Sequence, residues 1–158
     1  MSAIIQIVTG ALGSLGFSVL FNIRGKKLLI TTLGGLISWA VFLLLEAWIP
    51  GEPMRYFLSM VTISIYAEVF ARIEKTPTTT FLVPSVIPLI PGSALYYTMN
   101  YALNEQWTLF VQKAFYTLEL AMALALGIIA VTTATRLLTA VLRHRKKQTD
   151  ANHFHHSI

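Results

Sequence analysis

Apolar residues along this chain fall in long unbroken blocks, separated by short polar breaks, with little of the alternation expected of a strand. Each block approaches the roughly 20 residues that a helix needs to cross the hydrocarbon core of a bilayer, and the breaks predict five spans. The first runs from about Ala3 to Asn22 and the second from Leu28 to Ile49, with Ile23-Arg24-Gly25-Lys26-Lys27 between them. The turn Pro50-Gly51-Glu52-Pro53 leads into a third, about Arg55 to Ile73. In Glu74-Lys75-Thr76-Pro77, Thr76 suits an N-cap and Pro77 the first helical position, so a fourth span is expected to start there. The polar patch Asn104-Glu105-Gln106 ends it. A fifth stretch, Phe110 to Leu142, is longer than one span needs and is expected to tilt, or to extend beyond the membrane around Arg136. The pattern gives an all-α membrane protein: one transmembrane domain over residues 1–142 and a basic, His-containing tail over 143–158, expected to be disordered.

The fourth span interrupts its own pattern. Thr78 to Asn100, TTTFLVPSVIPLIPGSALYYTMN, contains Pro84, Pro88, Pro91 and Gly92. A helix running through the three prolines would leave the carbonyls of Thr80, Pro84 and Ile87 without their usual donors. In hydrocarbon such backbone is tolerated only where it packs against protein or lines a cavity. The break lies on the order of 9 to 21 Å from Thr78 at about 1.5 Å per residue, which is mid-membrane. Gly92 permits a sharp turn, and Ser93 suits the N-cap of a resumed half-helix, Ala94 to Met99. Free amides at that half-helix would favour a carboxylate, and the freed carbonyls an ammonium or a proton donor. Secondary transporters hold their substrates beside broken helices of this kind. Pro84, Ser85, Pro88, Pro91, Gly92 and Ser93 are therefore candidate substrate-binding residues; the alternative is a helix kinked by proline and packed against its neighbours.

Composition agrees with a membrane protein: 55% of the 158 residues are hydrophobic and only 12% charged, where soluble domains are roughly a quarter charged. Charge adds orientation. Ten of the twelve basic residues (Arg24, Lys26, Lys27, Arg72, Lys75, Arg136, Arg143, Arg145, Lys146 and Lys147) fall on one side of the predicted spans, and Arg55 and Lys113 on the other. Basic residues accumulate in cytoplasmic loops, which puts the N-terminus outside and the C-terminus inside. The net charge of +5 is thus topology information rather than a nucleic-acid footprint. The first span lacks a basic segment before it and is expected to be retained rather than cleaved as a signal peptide.

Three carboxylates fall in or near spans. Glu46 lies close enough to Ile49 to reach the interface. Glu68 has Arg72 one turn later, in the favourable order for a helical ion pair, against a role in proton or substrate coupling. Glu119, in YTLELAMALALG, has no basic residue one turn away; a proton carrier, a ligand for a substrate ammonium and a hydrogen bond to a neighbouring helix are all open. Gly10 and Ser14, Gly34 and Ser38, Ala121 and Ala125, and Ala123 and Gly127 stand four apart, a spacing that lets membrane helices approach closely. Chemistry has little support. There is no cysteine, the four histidines all lie in the tail, and neither GxSxG nor HExxH occurs. No enzyme activity, metal or cofactor is expected.

Two stretches carry a resemblance: GFSVLFNIRGKKL at 16–28 and TPTTTFLVPSVIPLIPGSALYYTM at 76–99. They resemble the threonine/serine exporter family, specifically the small membrane subunit that corresponds to the C-terminal half of the full-length exporter. The resemblance implies a secondary exporter of the bacterial cytoplasmic membrane, driven by an ion gradient. It implies a partner too, a larger subunit with a soluble cytoplasmic region and five spans of its own. Motif positions carried over are Gly16, Phe17, Asn22, Pro84, Pro88, Pro91 and Gly92, which adds Asn22 to the substrate-binding candidates. An odd span count agrees with inverted halves. The exported molecule would be threonine, serine or a small dicarboxylate. A non-transporting membrane scaffold is the second expectation.

Overall fold

A computed structural model describes the backbone of residues 2–155 and the side chains of residues 2–141. The side chains of the expected tail, its histidines among them, lie outside that description. Six α-helices follow in order: α1 (Ala3–Leu20), α2 (Lys26–Glu46), α3 (Glu52–Ile73), α4 (Thr79–Val86), α5 (Gly92–Leu103) and α6 (Trp107–His155). A 3-10 turn, Ile87–Leu89, continues α4, and no strand occurs among the described residues. α1, α2, α3 and residues Trp107–Val141 of α6 are each long and apolar enough to span a bilayer. The pair Thr79–Leu89 and Gly92–Leu103 passes the same test together but is bent by 59°.

Three of the turns close in the same way. Asn22, Lys75 and Glu105 have left-handed backbone, with φ of 57°, 51° and 55°. Each sits between a helix end and an amide that returns to it: Ile23 N–H to the Ser18 carbonyl at 2.9 Å, Thr76 N–H to Ala71 at 3.0 Å, and Gln106 N–H to Tyr101 at 2.9 Å. These are Schellman caps, which satisfy carbonyls that the helix end would otherwise strand. Thr76, expected to cap α4, is consumed in closing α3, and α4 begins two residues later than expected, after Thr78. At Gly25, φ of 65° with ψ of −140° is a conformation open only to glycine, and it starts α2.

Serine, threonine and glycine hold the bundle together along α2. Ser18 of α1 donates to Thr31 Oγ1 at 2.7 Å, Ser85 of α4 to the Thr31 carbonyl at 3.3 Å, and Tyr66 of α3 to the Ile30 carbonyl at 2.8 Å. The residues one turn onward from those carbonyls are Gly34 and Gly35. Without side chains there, the second lone pairs of Ile30 and Thr31 stay open to incoming hydroxyls. A Cβ on Gly34 would overlap Ser85, and one on Gly35 would overlap Ser14. On α6, a Cβ on Gly127 would come 2.8 Å from Met60 Cβ of α3. Three of the four predicted small-residue pairs thus mark contacts within this chain, while Ala121 and Ala125 face outward. Lipid offers no hydrophobic drive between helices, so close packing and hydrogen bonds of this kind carry the association.

α1, α2 and α4 form one group, α5 packs on α6, and α3 touches α2, α4 and α6. Met60, Ile63, Leu89 and Leu120 are fully buried at the centre. At one end the α1–α2 and α3–α4 turns hold Arg24 and Lys75, and α2 begins with Lys26 and Lys27. Exposed Trp48 and Trp107 lie at the turns of the opposite end, where aromatic residues mark a membrane–water interface. At that end Glu46 pairs with Arg55 at 3.5 Å, Arg55 stacks over Phe42, and Tyr116 bonds Glu52.

Candidate substrate site at the broken span

Proline does not end α4 where it first occurs. Pro84 lies inside the helix and is buried; the ladder tightens past it. The Ile87 amide donates to the Pro84 carbonyl, and Ile90 N–H to Ile87 at 3.2 Å. Pro91 then has φ of −75° and ψ of 62°, and Gly92 N–H reaches the Ile90 carbonyl at 2.7 Å. That is an inverse γ-turn centred on Pro91. Two of the three carbonyls expected to be stranded, Pro84 and Ile87, therefore find local donors by shortening the hydrogen-bond step from four residues to three. Each retains a second lone pair.

The half-helix beyond the bend starts earlier and runs further than expected, from Gly92 to Leu103, with Pro91 as its N-cap residue and no side-chain cap. Ser93 is inside the first turn and exposed, not at the cap. Its helical bonding begins with Leu95 N–H to the Pro91 carbonyl at 3.1 Å. The amides of Ser93 and Ala94, just before it, find no acceptor among the described residues. Gly92 is exposed with open space around it, and its φ is not positive; Pro91, rather than Gly92, makes the turn.

Two grooves lie along α1 beside the arm that precedes the bend. One, of about 280 Å³, lies toward the basic end between Phe21, Ile23, Thr79, Thr80, Val83 and Pro84. The other, of about 360 Å³, is lined by Gln6, Thr9, Gly10, Gly13, Trp39, Ile87 and Pro88, where Trp39 Nε1 donates to Gln6 Oε1 at 3.4 Å. Sequence reasoning missed Gln6, Thr9 and Trp39, because nothing in the pattern of α1 or α2 marks which face meets the prolines. Gly10 supplies the close approach: a Cβ there would be 3.3 Å from Pro88 Cβ.

The candidate residues do not converge on one point. Pro84, Pro88 and the grooves lie together, whereas Ser85 is fully buried and committed to α2. Asn22 is exposed at the α1 cap, its Oδ1 accepting from Arg24 Nε at 2.9 Å. Gly16 and Phe17 face outward on α1. Glu68 accepts from Thr78 Oγ1 at 3.2 Å and pairs with Arg72 at 3.5 Å, so its carboxylate ties α3 to the start of α4. Glu119 is exposed on α6, with no hydrogen bond or ion pair among the described residues.

Four long apolar helices, or five candidate spans if the bent pair counts as one, define a multi-pass membrane protein. The family model described as Threonine/Serine exporter, ThrE, matches residues 6–134, and the chain belongs to that family, which is one of transporters rather than enzymes. No curated protein and no solved structure matches it.

Proposed function

We propose that this chain is one membrane half of a secondary exporter that moves a small carboxylate-bearing metabolite out of the cytoplasm. Threonine, serine and small dicarboxylates are the candidate cargo. A second, larger chain supplies the other half, with the pair seated in a bacterial cytoplasmic membrane and this chain's basic end inside. The 59° bend carries the reading. It leaves the Ser93 and Ala94 amides open at the start of α5, a polarity suited to a carboxylate, and the arm that leads into it lines two grooves along α1. Cells lacking this chain should accumulate the cargo inside, and efflux should return only when both chains are expressed. Full export by this chain alone would sink the two-chain claim.

One observation favours the scaffold as a second reading: the bend satisfies most of its own backbone locally. If Pro88→Ala, Gly92→Leu and Glu119→Gln leave export untouched at equal membrane abundance, the prolines only shape packing.

A further inference from the structure

Between Lys113 and Arg136, Glu119 is the only acidic or basic residue of α6. It lies about 9 Å beyond Lys113 at about 1.5 Å per residue, so it cannot readily reach either interface. An ionisable group at such depth ordinarily faces protein or a water-filled cavity, yet here it faces outward. The helix offers more than a charge on this side. Phe110, Val111, Ala114, Phe115 and Leu118 form an apolar groove of about 370 Å³, with Ala114 as the small residue among larger ones. Phe115, Leu118 and Met122 around Glu119 are 70%, 53% and 51% exposed. A hollow one turn from a lone carboxylate fits a second helix that inserts an apolar side chain and brings a donor to the acid.

We propose that this face of α6 docks a span of the companion chain, and that the span carries a lysine or arginine that pairs with Glu119. The identity of the partner rests on the two-chain reading above. Charge complementarity selects it over a second copy of this protein, because parallel copies meeting on this face would set Glu119 against Glu119. Close charge pairs of this kind contribute to affinity when desolvated.

A photo-crosslinking residue at Leu118, in the full chain co-expressed with a tagged companion and with a second, differently tagged copy, tests the face directly. The expected adduct joins this chain to the companion, and mass spectrometry maps it to an apolar span containing a lysine or arginine. Glu119→Leu, which makes α6 more apolar without threatening its insertion, should lower the adduct yield roughly tenfold. Glu119→Lys combined with a basic-to-glutamate change in the mapped span should restore it. Adducts confined to lipid, adducts to the second copy, a mapped span with no basic residue, or a yield unchanged in Glu119→Leu would each overturn the proposal. Efflux measured in the same cells tests the exporter reading separately, since export that depends on both chains while Leu118 meets only lipid removes this docking face alone.

Discussion

Gly34 of α2 lies against Ser85 of α4, so closely that a Cβ on the glycine would stand 2.8 Å from Ser85 Cβ. The same serine hydroxyl reaches the Thr31 carbonyl one turn earlier on α2. One contact thus requires a missing side chain and a present hydroxyl together. Gly34→Ala should destabilise the protein by about 1–3 kcal/mol, the usual range for overpacking. Pairing it with Ser85→Gly should recover part of that loss. Denaturation in detergent micelles measures both, and a double variant no better than the single one would contradict the contact.

Asn22 separates a cap from a ligand. Its φ of 57° is one that glycine adopts freely and a β-branched residue does not. Asn22→Gly should leave thermal stability nearly unchanged, and Asn22→Val should cost about 1–2 kcal/mol. Export lost in Asn22→Gly at unchanged stability would assign the side chain a part in transport beyond the turn.

The Glu68–Thr78 bond, 3.2 Å long, should show coupling in a double-substitution cycle. Glu68→Leu and Thr78→Val together should cost less than the sum of the two alone, by about 0.5–1.5 kcal/mol. Strict additivity in the unfolding free energies would mean that Glu68 is free for another role.

Gly92→Ala adds a methyl group to open space at a backbone angle that alanine tolerates. Membrane abundance should be unchanged, with stability equal to or above the parent by up to about 1 kcal/mol. A marked fall in export at that abundance would show that the cargo approaches the backbone there.

Because the chain has no cysteine, orientation is accessible with single introduced ones. A cysteine in place of Trp48 should react with a membrane-impermeant maleimide in intact cells, and one in place of Lys75 only after the cells are opened. The reverse pattern would invert the assignment drawn from the basic residues.

Span positions were legible in the sequence because a bilayer imposes a length on each apolar block, and the four long candidate spans fall within a few residues of the expected ones. The bend could be located from Pro84, Pro88 and Pro91, whose missing amides are fixed by residue type. How the backbone recovers could not. The 3-10 step at Ile87 and the γ-turn at Pro91 depend on dihedral angles that several sequences share. Thr76 shows the same limit, since its capping propensity is real but the Schellman closure of α3 claims it first. The direction faced by Glu119 was hidden for another reason. α6 is apolar all round, so no periodicity tells the side against α3 and α5 from the side left open.

The bent helical pair is divided between two groups of helices. Ser85 anchors its first arm to α2, while Thr98 anchors its second to α6 through Thr117, 3.0 Å between hydroxyls. Only Ile90 and Pro91 lie between the arms. In mechanical terms the pair is a lever with each arm bolted to a different helix, and a tilt of α2 relative to α6 would load a two-residue pivot. Such a pivot can change its angle without unfolding either helix.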